Sequence, residues 1–267
     1  MVDAHCHLNF KVFEKDLNEV IKEAKSSGVD TIVIVGADLD SSRKGVEIAK
    51  NHENIYASVG IHPHHADKFK EGWMVDLEQL AKHKKVISIG ECGLDYYNYK
   101  SNGITDPVLQ KKLFIQQIEL VYRLKLPLQI HNRHAEKDIA DILLNHKSNL
   151  LNPPGMIHCF SGSREFLKNI LELGFYIGFD GNITYEGIAA GETTDLKDLV
   201  KLTPVDRIIT ETDSPYLSPV PLRGLRNEPK NVIIIGEFIA SLKNIDKLEF
   251  WKIVNKNFRN VFKKIMS

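Results

Sequence analysis

Short β-branched runs alternate with amphipathic stretches along the whole chain, and this alternation constrains the fold more than any other feature. The runs are Val2 to Leu8, Thr31 to Gly36, Ile55 to Gly60, Val86 to Glu91, Pro127 to His131, Met156 to Phe160, Phe175 to Phe179 and Arg207 to Asp213. Several are apolar on both faces, as a parallel strand covered by helices must be. Between them Leu17, Val20, Ile21 and Ala24 recur at helical spacing, with Gly28 as a left-handed stop. Phe166, Leu167, Ile170 and Leu171 mark another helix, opened by Ser161 or Ser163 and closed by Gly174. Ile235, Phe238, Ile239 and Leu242 form a third stripe, and Trp251, Val254, Phe258 and Val261 a fourth. Eight strand-then-helix units in 267 residues match a (β/α)8 barrel. An open doubly wound sheet would alternate too, but it usually carries a glycine-rich phosphate loop after its first strand. Here that position holds His5-Cys6-His7-Leu8-Asn9. The expectation is an α/β chain folded as a single TIM barrel domain over residues 1–267, with its active site at the C-terminal face of the strands.

The polar residues at the strand ends are the chemically informative ones. They are His5 and His7 on the first strand, Glu91 on the fourth, His131 on the fifth, His158 on the sixth and Asp213 on the eighth. Parallel barrel strands end on one face, so these six converge on one pocket. His5 and His7 are two apart and share a strand face, while Cys6 between them points the other way. Four histidines and two carboxylates are a costly way to fill a core, because buried polar groups need partners. A metal centre supplies those partners. Imidazole with carboxylate suits zinc, iron, nickel or manganese, and six protein ligands are too many for one catalytic ion with an open position. Two ions are implied, with Glu91 as the natural bridge because its two oxygens can contact both. The expected cofactor is therefore two divalent ions per chain, among zinc, magnesium, manganese and nickel. The same alternation turns Cys6, Cys92 and Cys159 toward the surrounding helices, so none is expected to bind metal.

Charge balance limits the partners. Lys plus Arg is 35 and Asp plus Glu is 35, so no whole-molecule field draws the chain onto nucleic acid or a membrane surface. Three cysteines without paired spacing make no disulfide framework. The apolar runs, such as Val232 to Ile235, are far below the roughly 18 residues a membrane span needs. No basic-then-apolar signal profile opens the sequence, and a cytoplasmic protein with no membrane association is expected.

The residues also carry a resemblance. Asp3-Ala4-His5-Cys6-His7-Leu8, Gly60-Ile61-His62-Pro63-His64, Gly90-Glu91-Cys92-Gly93-Leu94-Asp95-Tyr96 and His131-Asn132-Arg133-His134-Ala135 resemble segments of the TatD family of metal-dependent deoxyribonucleases, barrels of the amidohydrolase superfamily. His158-Cys159-Phe160-Ser161-Gly162, Glu211-Thr212-Asp213-Ser214-Pro215-Tyr216-Leu217 and Arg223-Gly224 with Asn227-Glu228-Pro229 continue the match in order to just past the last strand. One segment departs from the pattern: Asp180 stands where a small residue is expected, which would place an extra carboxylate near bound phosphate.

The resemblance implies that His5, His7 and Asp213 hold one ion and His131 and His158 the other, with Glu91 between. It implies a metal-activated water as nucleophile, with Asp213 and Glu91 catalytic and Asp213 the general base. It makes His62 a contact to the scissile phosphate and Arg223 a phosphate clamp. A solvated loop histidine is an equal reading of His62 and the preferred one for His64 and His65. Arg133 and Arg164 are basic candidates at the rim, and Tyr96, Tyr97 and Tyr99 form an aromatic patch that either stacks on bases or packs against the barrel top. Lys82, Lys84 and Lys85 read as a solvated face. The expected function is hydrolysis of DNA phosphodiester bonds, as an exonuclease on single-stranded or frayed ends, with DNA bound weakly. The alternatives are an amidohydrolase or an aminoacyl-ester deacylase using the same dinuclear site, or a binding protein that has lost activity.

Overall fold

Eight apolar runs form eight parallel strands because each can bury both faces, one against its neighbours inside a barrel and one against a surrounding helix. The structure, a computed structural model, describes residues 1–68, 72–101, 103–189 and 191–266. The strands are β1 (Val2–Cys6), β2 (Thr31–Val35), β3 (Ile55–Val59), β4 (Val86–Asp95), β5 (Leu128–Arg133), β6 (Gly155–Ile157), β7 (Tyr176–Phe179) and β8 (Ile208–Thr210). They pair in sequence order as one sheet, every pair parallel. The seam between β8 and β1 is closed by Asp213 N–H donating to His5 O at 2.9 Å and His7 N–H donating to Ser214 O at 2.7 Å. Beneath these, Asp3 accepts from the Thr212 backbone and hydroxyl at 2.9 and 2.6 Å. The expected barrel is therefore the observed one.

The helices are α1 (Leu17–Ser26), α2 (Leu39–Lys50), α3 (Trp73–Ala81), α4 (Pro107–Leu124), α5 (Glu136–Asn145), α6 (Arg164–Glu172), α7 (Leu196–Leu202), α8 (Val232–Lys243) and α9 (Lys247–Val261). The caps follow the sequence signals. Ser163, rather than Ser161, caps α6 by accepting from Phe166 N–H, and Gly28 and Gly174 follow α1 and α6 with φ near +90°. The core lies between strands and helices, where Phe114, Ile118, Leu143, Ile170 and Phe250 are fully buried. No helix among the described residues is long and apolar enough to cross a membrane.

One strand boundary differs from expectation in a way that matters. β4 runs four residues past Glu91, because Cys92 to Asp95 continue to pair with Ile130 to Arg133 of β5. Gly93 makes this possible, since a Cβ there would lie 2.1 Å from the His131 carbonyl oxygen. Asp95, not Glu91, is consequently the end of β4 and stands at the functional face.

Candidate metal centre

His5 lies inside a register shift of β1 between Asp3 and Cys6, and Glu91 lies inside one of β4 between Ile89 and Cys92. Such irregularities re-aim side chains, and here they bring residues from β1 and β4 toward a common point. Asp213 follows β8 with φ +51°, a left-handed backbone that aspartate adopts more readily than most non-glycine residues, and its amide bonds to His5 across the seam. The polar floor beneath consists of Ser88, Gln129 and Glu211, all fully buried.

The six residues singled out from the sequence meet in one cavity of about 980 Å³ or in its floor. Glu91 stands at the middle. Its Oε1 lies 2.8 Å from His158 Nε2 and 2.9 Å from His131 Nδ1, and its Oε2 lies 3.6 Å from His7 Nε2 and 3.7 Å from His5 Nε2. Asp213 Oδ1 is 3.3 Å from His7 Nε2 and 3.8 Å from His5 Nε2. His5, His7 and Asp213 form one group whose ligand atoms lie within 4.8 Å of one another, and Glu91, His131 and His158 form a second. Two further groups share these residues: His62 with Asp95 and His131, and His5 with His158 and Glu211.

The donor set suits cations. His5 Nδ1 bonds to Gln129 Oε1 at 2.9 Å, and Gln129 spends its amide hydrogens on Ala4 O and Ser88 Oγ. His7 Nδ1 donates to Val35 O at 2.9 Å. In the neutral tautomers both protons are therefore on Nδ1 and two Nε2 lone pairs face each other across 3.3 Å; burial opposes a second proton on His7, but Asp213 and Glu91 outweigh it and raise its pKa, so a proton or a metal cation competes for this nitrogen. Burial, reinforced by His158, lowers the pKa of His5 to about 4, which keeps it neutral. A cation between the two nitrogens relieves the clash of lone pairs.

Charge is unevenly distributed over the remaining groups. Burial alone would push Glu91 up, but His158, His62 and His131 outweigh it and hold its carboxyl well below the usual range. Burial likewise opposes protonation of His131, yet Asp95 and Glu91 on either side raise it to about 9. Asp213 is lowered because His7 outweighs the effect of burial.

Several residues take places the sequence did not indicate. Asp95 is 1% exposed, and its Oδ2 lies 3.1 Å from both His131 Nε2 and His64 Nε2 and accepts from Tyr99 Oη at 2.9 Å. His64 is thus part of the site wall, not a solvated loop residue; the turn through Pro63 folds it back onto β4. His65 lines the cavity as well, beside Asp38. The signal that could have found Asp95 is parity, since Glu91, Gly93 and Asp95 share a strand face.

His62 accepts His64 N–H on Nδ1 at 3.1 Å. Burial holds it neutral, far below the ordinary pKa, so its proton is on Nε2, 3.5 Å from Glu91 Oε1. It stands in the cavity as a hydrogen-bond donor.

The cysteines divide. The Cys6 thiol donates to Val33 O at 3.4 Å and the Cys92 thiol to Gln129 O at 3.5 Å, both fully buried. Cys159 lines the cavity instead and accepts from Asn182 Nδ2 at 3.4 Å. Alternation fails for it because β6 stops at Ile157 and Cys159 has φ +45°. No cysteine belongs to any of the four candidate groups among the described residues.

Asp180 does not face the cavity where phosphate was expected to meet it. It is fully buried, accepts Asn182 N–H on Oδ1 at 2.9 Å and leaves Oδ2 without a partner. Burial, with Asp213 nearby, raises it to about 7.

At the rim, Arg133 and Arg223 line the cavity, whereas Arg164 is exposed and paired with Asp198 at 3.3 Å. Arg133 lies 4.2 Å from the Tyr97 ring centroid and donates to Tyr99 Oη at 2.9 Å, and Arg223 lies 4.1 Å from the Tyr185 ring. Tyr99 lines the cavity; Tyr96 turns away to donate to Asp138. Lys85 is spent on the His52 and Glu53 carbonyls, outside the cavity.

A parallel eight-stranded barrel with histidines and carboxylates gathered at its C-terminal face has the architecture of a metal-dependent hydrolase. The family model for TatD related DNases matches residues 2–263. An uncharacterized metal-dependent hydrolase of Bacillus subtilis, YabD, is 37% identical over 263 residues, covering 98% of this chain and 99% of that protein. A protein of Erwinia billingiae named a 3'-5' ssDNA/RNA exonuclease, TatD, is 31% identical over 268 residues and covered to 98%, as is this chain. The crystal structure of YjjV, a TatD homologue from Escherichia coli K12, superposes with a TM-score of 0.87 at 26% identity over 98% of each chain. The chain belongs to the TatD family of metal-dependent hydrolases and is an enzyme of ester-bond hydrolysis.

Proposed function

We propose that the chain is a deoxyribonuclease that hydrolyses DNA phosphodiester bonds from single-stranded or frayed ends, using two divalent ions chosen from zinc, magnesium, manganese and nickel. The observation that carries this reading is the placement of Glu91, whose two oxygens face two different histidine pairs. His5, His7 and Asp213 would hold one ion and His131 and His158 the other, with Glu91 between them. Such ions supply Lewis acidity, which lowers the pKa of water and offsets charge on a phosphoryl oxygen.

The remaining work falls to the chain's own groups. Asp213 is held ionised beside His7 and accepts the proton of the attacking water as general base. Neutral His62 donates its Nε2 proton in a hydrogen bond to a phosphoryl oxygen. Arg223, with no carboxylate within ion-pair distance among the described residues, keeps its fork free for phosphate, with its guanidinium carbon 4.1 Å from the Tyr185 ring centroid. Arg133, also in the cavity lining, is a second guanidinium with no carboxylate within ion-pair distance among the described residues. Such stacked, unpaired cations favour a phosphodiester over a neutral amide or aminoacyl ester.

The activity for which the Erwinia relative is named agrees with end-directed cleavage of single strands. Residues 1–267 act as one barrel unit in this reading, and three unpaired cysteines suit the reducing cytoplasm. The test incubates purified protein with end-labelled single-stranded DNA, duplex DNA, closed circular duplex, RNA and an aminoacyl ester, each with the four metals. Stepwise loss of terminal nucleotides from single strands is expected. Nicking of closed circles at a comparable rate, or cleavage of the ester alone, overturns it.

A further inference from the structure

Each of the four clustered histidines offers one ring nitrogen to the centre and turns the other away. For His5 and His7 the outer nitrogen meets a neutral oxygen, Gln129 Oε1 and Val35 O, each at 2.9 Å. For His131 it faces the Asp95 carboxylate, and for His158 the carboxyl group of Glu211, which burial pushes well above the ordinary carboxylate range. Asp95 Oδ2 lies 3.1 Å from His131 Nε2, and Glu211 Oε1 lies 3.8 Å from His158 Nδ1. A carboxylate behind an imidazole fixes its tautomer and ring orientation and raises the basicity of the other nitrogen.

Glu211 lies outside the cavity lining, and Asp95 in the cavity wall turns its Oδ2 onto His131, His64 and Tyr99. Asp95 is 1% exposed and Glu211 is 0% exposed. Glu211 accepts the Cys159 backbone N–H, and both Glu211 Oε2 and His158 Nδ1 are buried without a hydrogen bond. Two complementary unsatisfied atoms on adjacent side chains are costly unless the pair has a task. β7 is also shaped around this carboxyl group, since a Cβ on Gly178 would lie 2.6 Å from Glu211 Oε1.

We propose that Asp95 and Glu211 are positioning residues for the ion bounded by His131 and His158, whereas the ion bounded by His5 and His7 takes its frame from Gln129 and a backbone carbonyl. The two ion positions are then separately weakened by changes in different buried shells. This inference rests on the ligand assignment made under the proposed function.

The experiment is calorimetric titration of the metal-free protein with Mn²⁺, together with metal content by mass spectrometry after dialysis, on wild type, Asp95→Asn, Glu211→Gln and Gln129→Met. Wild type is expected to take two ions. Asp95→Asn and Glu211→Gln each lower the affinity for one ion by about 10–100-fold and leave the other unchanged, the range typical of such supporting partners. Gln129→Met weakens the opposite ion. Asp95 also receives Tyr97 N–H and the Tyr99 hydroxyl, so its variant risks misfolding. Glu211→Gln keeps an acceptor for Cys159 N–H and carries the same test independently. Circular dichroism in chelator confirms that each variant is folded. Fewer than two ions in wild type overturns the ligand assignment and this inference with it. Two ions in wild type, with both positions weakened equally or neither weakened in folded Glu211→Gln, overturns the positioning inference alone.

Discussion

Asp180→Asn should stabilise the metal-free protein at alkaline pH and not at acid pH. Asp180 is fully buried with Oδ2 unpartnered, and burial lifts it from the ordinary 3.8 to about 7. A carboxyl whose folded pKa is raised contributes its stability below the unfolded value and loses it as pH rises through the folded value. The wild type therefore weakens between about pH 4 and pH 7. At ~1.4 kcal/mol per pH unit, that interval bounds the loss at roughly 4 kcal/mol. Asparagine keeps an Oδ1 acceptor for Asn182 N–H and carries no charge. Asp3, also raised to about 7, is common to both proteins and cancels in their difference. A change of 1 kcal/mol moves the melting midpoint by roughly 2–4 °C at about this size, so the variant should melt several degrees higher at pH 8. The gap should close toward pH 5. Thermal melts in chelator, followed by circular dichroism from pH 5 to 8, measure it. A gap of constant size across that range would refute the reasoning, because it would show that the effect comes from shape and not from ionisation.

Five other outcomes follow from the same geometry. Glu91→Ala should lower metal content more than His158→Ala, because Glu91 faces both histidine pairs; equal stoichiometry by mass spectrometry would refute the bridge. Arg223→Ala should reduce kcat/KM on single-stranded DNA by about 10–100-fold, the loss of one or two charge-assisted hydrogen bonds. Lys84→Ala with Lys85→Ala should leave activity within a factor of two. DNA affinity should fall only shallowly with salt, as for roughly two to four phosphates, since the described residues lining the cavity include two arginines and no lysine; a slope equivalent to eight would contradict this. Gly178→Ala should destabilise by about 1–3 kcal/mol in urea melts, because the new methyl meets Glu211 and Met156 at 2.6 Å.

The barrel was legible because its signal is local and repeated: apolar strands, helical stripes, and caps such as Ser163 and Gly174 each report on a few neighbouring residues. The convergence of His5, His7, Glu91, His131, His158 and Asp213 was legible too, because parallel strands end on one face whatever their register. Parity could also have placed Asp95 on the face of Glu91 and Gln129 on that of His131. What each residue meets there was beyond the sequence. Partners such as Asp95 with His131, His64 with Asp95, and Gln129 with His5 lie on different strands and turns, brought together by barrel closure and by the register shifts at His5 and Glu91. Alternation holds only while a strand lasts, so it misplaced Cys159, where β6 has already ended and the backbone is left-handed. The direction of Asp180 was likewise decided by packing against Cys159 and Asn182, contacts between separate loops that no spacing along one chain encodes. Sequence period determines which face a residue occupies; only tertiary closure decides which atoms it meets, and hence its charge and chemistry.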